Sequence, residues 1–175
     1  MLHIVDRLAP WLGPGQPPFA VATVVVASGS VPRPVGTAMA VRADGAVLGS
    51  LSGGCVEGAV HAAALDAIAS GTSHRETFGY SDDDAFAVGL SCGGTLDVHV
   101  QPVLPDDDAT RALHALAARA EPAPPVALVR RIDGGARTAV VVDDPGTAAA
   151  ATGGRARRGL VAAAVRGGGA AGGGG

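Results

Sequence analysis

The segment Leu48-Gly-Ser-Leu-Ser-Gly-Gly-Cys-Val-Glu-Gly-Ala-Val60 decides how this chain is built. It predicts the end of a strand, a glycine turn and the first turns of a helix. Gly53 and Gly54 lack a Cβ, so the backbone there can take positive φ and admit a close approach. Beyond them Val56, Val60, Ala63, Ala64, Ala67 and Ile68 recur at helical spacing and predict one buried stripe. A helix that starts behind a glycine turn offers uncommitted N–H groups and the positive end of its dipole, which suits an anion. Cys55 stands at that point, where a thiol pKa tends to fall and thiolate character to rise. The same pattern equally describes a tight strand-to-helix turn with a small packed cysteine.

The totals narrow the class. At 175 residues the chain has length for one domain with a sizeable core. Its apolar fraction of 47% fits a globular protein, but aromatics make up only 3%, so the core must be built from Val, Leu, Ile and Ala. All 13 basic residues are Arg and the net charge is −3, which leaves no broad basic surface for nucleic acid or a membrane. Met1-Leu-His-Ile-Val-Asp-Arg7 lacks the basic start and apolar core of a signal peptide. No uncharged apolar run of about 18 residues marks a membrane helix. Cys55 and Cys92 lie too far apart for a Cys-x-x-Cys motif. Reduced thiols in a cytoplasmic protein are the expectation, with a Cys55–Cys92 disulfide as the alternative.

Outward from the central turn, Thr37–Arg42 and Ala46–Gly49 predict two short strands joined by the hairpin signal Ala43-Asp44-Gly45. The apolar run Phe19–Ser28 predicts a strand buried on both faces. Between them Gly29–Gly36 must be a loop, because Pro32 and Pro34 cannot donate to a ladder. His3–Leu12 predicts a short amphipathic helix, stopped by Gly13-Pro-Gly-Gln-Pro-Pro18. On the other side, Gly71 caps the central helix and Ser73–Tyr80 predicts a strand. Ser81 and Asp82–Asp84 predict the start of a short helix. Gly89-Leu-Ser-Cys-Gly-Gly94 is a second glycine turn. Thr95–Val103 alternates, with Leu96, Val98 and Val100 on one side and Asp97, His99 and Gln101 on the other. Asp106–Ala120 predicts a surface helix with Leu113 and Leu116 inward, and Val126–Ile132 with Thr138–Val142 a last hairpin. The fold class that follows is α/β: a short-stranded mixed sheet with the central helix on one face. This domain spans residues 1–145. Over 146–175 Ala, Gly and Arg dominate, a low-complexity composition that predicts a poorly ordered tail. Gly167-x-Gly169-x-x-Gly172 matches the dinucleotide fingerprint in form, but no helix has room to follow it.

The two glycine turns carry the two cysteines in mirrored order, Gly53-Gly54-Cys55 and Cys92-Gly93-Gly94. Facing one cleft, they would bring together two soft sulfur atoms, suited to a redox-active metal or a persulfide, and open N–H groups suited to a phosphate. Arg33, held between two prolines, is preorganised to reach outward with a fork that matches phosphate geometry. Glu57 is a favourable first-turn carboxylate, with a general base as the alternative. Asp82–Asp84 predicts capping and solvation. His3, His61, His74, His99 and His114 are scattered without metal-ligand spacing.

Three stretches together resemble a known family: Ala27-Ser-Gly-Ser-Val-Pro-Arg-Pro-Val-Gly-Thr-Ala-Met39, the central segment over 49–60, and Phe78-Gly-Tyr-Ser-Asp82 with Gly89–Gly94. They resemble the amino-terminal domain of the XdhC/CoxI family, accessory factors of xanthine dehydrogenase and carbon monoxide dehydrogenase. The resemblance implies a maturation role: a chaperone, rather than a catalyst, that binds molybdenum cofactor, as molybdopterin or its dinucleotide form. Such a factor protects the cofactor during sulfuration by a cysteine desulfurase and delivers it to an apo-molybdoenzyme. Its motif positions fall on Ser30, Pro32, Arg33, Pro34, Gly36, Ser52, Gly53, Gly54, Cys55, Glu57, Gly58, Gly89, Cys92, Gly93 and Gly94. Of these, Arg33, Ser52–Cys55, Glu57 and Cys92–Gly94 are the expected cofactor-binding residues, with Cys55 and Cys92 as molybdenum or sulfur contacts. Fuller members continue into a Rossmann-like domain; here its place is taken by the tail, which makes a separate Rossmann-like subunit a candidate partner. Two other functions remain open on the residues alone, a cysteine-dependent sulfur-transfer enzyme and a pure interaction module.

Overall fold

The computed structural model describes residues 2–79, 94–119, 126–132, 139–142 and 160–166. Helix α1 (Leu2–Leu8) runs into a 3₁₀ turn, Ala9–Trp11, where Pro10 ends the α-helical pattern. Strand β1 (Phe19–Ser28) is followed by the hairpin of β2 (Ala38–Arg42) and β3 (Val47–Gly49). Helix α2 (Glu57–Ser70) leads to β4 (His74–Gly79) and β5 (Thr95–Val103), then helix α3 (Asp108–Ala117). Strands β6 (Val126–Arg131), β7 (Ala139–Val142) and β8 (Leu160–Arg166) complete the described elements.

The first five strands form one sheet in the order β3-β2-β1-β5-β4, and the last three a second sheet in the order β7-β6-β8. The α/β class holds, and every described ladder is antiparallel, more uniform than a mixed sheet. For β2 and β3 the cause is local: their hairpin closes on Asp44, whose carboxylate accepts from the Ala46 N–H at 3.1 Å and from the Arg42 guanidinium. Helix α2 then carries the chain from one edge strand, β3, across the face to the other edge, β4. The tail contributes one described stretch, Leu160–Arg166, which pairs with β6. Gly167–Gly172 lies outside the described residues, as does the short helix expected at Ser81–Asp84.

Strand β1 sits at the centre and is buried on both faces, as its apolar run requires. On one face Ala20, Ala22, Val24, Val98 and Val100 pack under α2, which contributes the expected stripe Val60, Ala63, Ala64 and Ala67, with Ile68 partly buried beside it. On the other, Phe19, Val21, Ala38, Ala40 and Val103 meet Ile4, Val5 and Leu8 of α1, Leu113 and Leu116 of α3 and Leu128 of β6. With so few aromatics, side chains of one to four carbons must interdigitate to reach interior density.

Strand β5 departs from the alternation read in its sequence. Its predicted polar side is covered too: His99 and Gln101 are each 1% exposed, because β6 lays Arg130, 3% exposed, against them. Arg130 donates through Nη1 to Gln101 Oε1 at 3.1 Å and through Nη2 to Thr23 Oγ1. Burial pushes the His99 pKa down to about 4, and the neighbouring charges of Arg130, His74 and Arg75 push the same way. The unfolded chain therefore takes up a proton near pH 6.5 that the folded chain refuses. Stability is complete above that value and is lost as pH falls toward 4, by up to about 3 kcal/mol. Urea unfolding of the full chain at half-unit steps between pH 7 and 4 should show this slope, and His99→Gln should flatten it.

Candidate functional site

The topology gathers the three sequence motifs at one end of the first sheet. Ser28, where β1 ends, faces Thr95, where β5 begins, and Gly79 at the end of β4 also faces Thr95. Met39, one residue into β2, faces Gly49 at the end of β3. The loop before β2, the turn after β3 and the chain entering β5 at Gly94 thus share one rim. The contact is direct at Gly94, where a Cβ would collide with Ser30 O and Val31 Cγ1. Val31 packs against the cluster that holds Leu51, Val56, Phe78 and Leu96, so all three motifs rest on one apolar base. Arg33 is exposed on the first of these loops. Cys92, Gly93 and Gly89 lie outside the described residues, so a meeting of the two thiols has no described geometry.

The central turn has a single organiser, Glu57. Its Oε1 accepts from Ser50 Oγ at 2.6 Å and from the N–H groups of Leu51 at 3.1 Å, Ser52 at 2.9 Å and Gly53 at 3.0 Å. Its Oε2 accepts from Ser52 Oγ at 2.6 Å and from the Gly54 N–H at 2.8 Å. Four successive backbone N–H groups and two hydroxyls therefore converge on one carboxylate. Such a concave bank of N–H groups is an anion nest. The sequence pointed to an anion here, and the geometry supplies one from within the chain. This corrects the expectation that the turn's N–H groups stand open for a phosphate: Glu57 fills them. It also removes Glu57 as a general base, since burial would raise its pKa but the hydrogen bonds from Ser50 and Ser52 outweigh that and hold it well below the carboxylate range. Ser52 links the nest to the helix: it is 6% exposed, and its Oγ accepts from the Val56 N–H at 3.1 Å, which does the work of an N-cap side chain that Val56 lacks.

The nest requires the glycines. Gly53 and Gly54 have φ of 88° and 131°, backbone that a Cβ-bearing residue rarely adopts. No atom lies within 4 Å of where a Cβ would sit on Gly53, Gly54 or Gly58, so the turn faces open space. Cys55 follows directly and is exposed. Gly49 has the opposite reason: a Cβ there would stand 3.1 Å from Ile4 Cγ2 and against Ala38 O. Among the described residues no three His, Cys, Asp or Glu side chains are grouped to hold a bare metal ion. A cavity of about 290 Å³ lies at the far end of the sheet, by Trp11, Phe19, Val103 and His114, and none of the motif residues lines it.

Residues 14–79 match the profile of the XdhC and CoxI family. The chain is 40% identical over 88 residues to the molybdenum cofactor insertion chaperone PaoD of Escherichia coli K12, an alignment covering 47% of this chain and 27% of that protein. It is 37% identical over 83 residues to the uncharacterized protein YqeB of the same organism, covering 47% of this chain and 15% of the other. A crystal structure of a xanthine dehydrogenase from Bacillus halodurans shares the fold with a TM-score of 0.65 at 25% identity, covering 82% of this chain and 42% of that one. The chain thus spans roughly a quarter or less of the two curated relatives and under half of the solved one. No described helix is long and apolar enough to cross a membrane.

Glu57→Gln keeps the side-chain size but turns an amide N–H₂ toward N–H donors. It should cost about 2 kcal/mol in urea unfolding at pH 7, the worth of a charged hydrogen-bonding group. The sign on the acid side follows from the lowered pKa. The Glu57 contribution is complete above its ordinary pKa of 4.5 and fades as pH falls below it, a loss that Glu57→Gln should not show. Gly54→Ala should destabilise by about 1–3 kcal/mol through backbone strain alone.

Proposed function

Because residues 14–79 match the XdhC and CoxI family profile, we propose that this chain binds molybdenum cofactor and hands it to an apo-molybdoenzyme, as a chaperone and not a catalyst. The observation that carries this reading is the Gly53-Gly54-Cys55 turn. It is pinned from below by Glu57, open above, and ends on an exposed thiol. A surface held rigid and bare on one side is what a carrier needs, since a bound group must dock without reorganising the loop and leave again.

Cys55 would hold the cofactor through its sulfur, with Gly53 and Gly54 allowing close approach of a planar group. The cofactor, when bound, supplies the molybdenum centre and the pterin that the thiol contacts. The filled nest changes which residue meets the cofactor's phosphate. With the N–H groups of Leu51–Gly54 taken by Glu57, the exposed cation on the neighbouring loop, Arg33, is the phosphate partner. Cys92, Gly93 and Gly94 complete the site on this reading, and Gly94 touches the Ser30–Val31 loop that carries Arg33. Protection during sulfuration by a cysteine desulfurase, delivery to a xanthine or carbon monoxide dehydrogenase, the dinucleotide form and a separate Rossmann-like subunit are parts of the same proposal. A cysteine-dependent enzyme is the weaker reading, because the carboxylate nearest in sequence to Cys55 is committed to the turn.

The test is co-purification of molybdopterin with the full chain, measured by fluorescence of its oxidised pterin. Wild type should retain it, and Cys55→Ala and Cys92→Ala should each lower retention about tenfold. Arg33→Ala should weaken retention of the phosphorylated pterin more than of its dephosphorylated form. Equal retention in both cysteine variants would remove the thiols from the site.

A further inference from the structure

Among the described residues the cluster between the two sheets is short of one charge. Arg130 is buried, and its two described partners, the Gln101 carbonyl and the Thr23 hydroxyl, are both neutral. No carboxylate pairs with it among the described residues. The acid on the same sheet face, Asp97, is already engaged by Arg75 and by Thr77 at 2.8 Å. Burial alone lowers the Arg130 pKa to about 10, and a guanidinium stays charged at that value. An uncompensated charge in a protein interior costs several kcal/mol, so chains supply a counter-charge or hold one.

The neighbours point the same way. His99 and Gln101 are each 1% exposed. Among the described residues neither ring nitrogen of His99 nor the amide nitrogen of Gln101 has a well-formed hydrogen bond, the His74 backbone being the one polar group that the His99 ring approaches. Buried side-chain donors are nearly always satisfied, so an orphan of this kind calls for a partner. The inventory here is mostly donors: the two N–H bonds of Gln101, one ring N–H of His99, the hydroxyl proton of Thr23 and the unused N–H bonds of Arg130. Several donors around a cation call for an ion with three or four acceptor oxygens rather than for water, which would bring protons of its own.

We propose that Thr23, His99, Gln101 and Arg130 form a buried site for a tetrahedral oxyanion of the phosphate class. Strands β1, β5 and β6 each contribute from the face opposite α2, so the ion would tie the second sheet to the first. This site lies apart from the Cys55 turn and does not depend on the carrier function. It is a structural anion site, in which binding and folding are coupled.

The experiment is thermal unfolding of the full chain at pH 7 in sodium chloride, then in inorganic phosphate up to about 10 mM at matched ionic strength. Phosphate should raise the midpoint by about 5 °C and saturate, with one-to-one binding by calorimetry. His99→Phe is the most informative variant, because it replaces an orphan polar group with an apolar one, keeps both partners of Arg130 and should fold without the ion; Gln101→Leu also removes the Oε1 that accepts from Arg130, so it is compared at its own lower midpoint. Both should lose the saturable rise, as should Arg130→Gln if it folds. Phenyl phosphate provides the second arm: competition with inorganic phosphate assigns the site to a phosphate carried on a larger molecule, and failure to compete assigns it to the free ion. A rise that grows linearly without saturating, or that persists in His99→Phe and Gln101→Leu, is ion exclusion from the surface and overturns the proposal.

Discussion

Four successive N–H groups must point at one carboxylate for the central turn to exist, and Glu57 supplies that carboxylate. Everything else at this end of the molecule follows from the constraint. Aligning the N–H groups of Leu51 to Gly54 drives Gly53 and Gly54 into positive φ, which only glycine tolerates at low cost. Ser52 serves twice, donating its hydroxyl proton to Glu57 and accepting from Val56, so the nest and the start of α2 form together. The helix dipole adds to this, because a carboxylate in the first turn sits at its positive end. Cys55 then follows as an exposed residue on a turn whose backbone is fixed by these bonds.

The sheet explains why this turn has neighbours. An order of β3-β2-β1-β5-β4 with antiparallel ladders sends the exits of β1, β3 and β4 and the entries of β2 and β5 to one rim. Motifs tens of residues apart in sequence therefore meet without any long-range contact designed for the purpose. The opposite rim holds the turn before β1 and the exit of β5, and with them the proline-lined cavity. Under α2, strands β1, β2 and β5 present an apolar face, with the half-buried His74 and the exposed Glu76 of β4 on the same side at its edge. The other is apolar only near α1 and α3 and turns polar toward Thr23, His99 and Gln101.

Much of this was legible in the residues. The Phe19–Ser28 run gave β1 its bounds, the Asp44-Gly45 signal gave the hairpin, and the stripe from Val56 to Ala67 gave the buried side of α2. These are short-range patterns, and short-range physics decides them. Two things were not legible. The anion site at Gly53–Gly54 was read as open because sequence spacing shows a nest and an acid three residues on, but not that the acid folds back into it. The Ser-Gly-Gly-Cys-Val-Glu spacing contains that signal: a glutamate in the first turn after two glycines can reach the N–H groups behind it. The burial of His99 and Gln101 was missed because alternation says which residues share a side, not whether a second sheet covers it. The clue lay in β6, where Arg130 shares a side with the core residue Leu128. An arginine in register with a core leucine needs polar company on the facing strand.

The contrast between the two polar clusters bears on how this fold treats anions. At the central turn the donors are backbone N–H groups, fixed by the chain, and the acid is covalently attached three to six residues away. Such a site is always filled, so it stiffens the loop but cannot exchange a ligand. Between the sheets the donors are side chains from three strands, and among the described residues no acid is tied to them. A site of that kind depends on what solution or a ligand provides. It follows that an anionic group reaching the Cys55 rim finds its backbone donors spent and must rely on side-chain charge. Among the described motif residues the exposed cation is Arg33, between two prolines that limit its backbone, and it takes the part that the glycines alone would suggest for the turn.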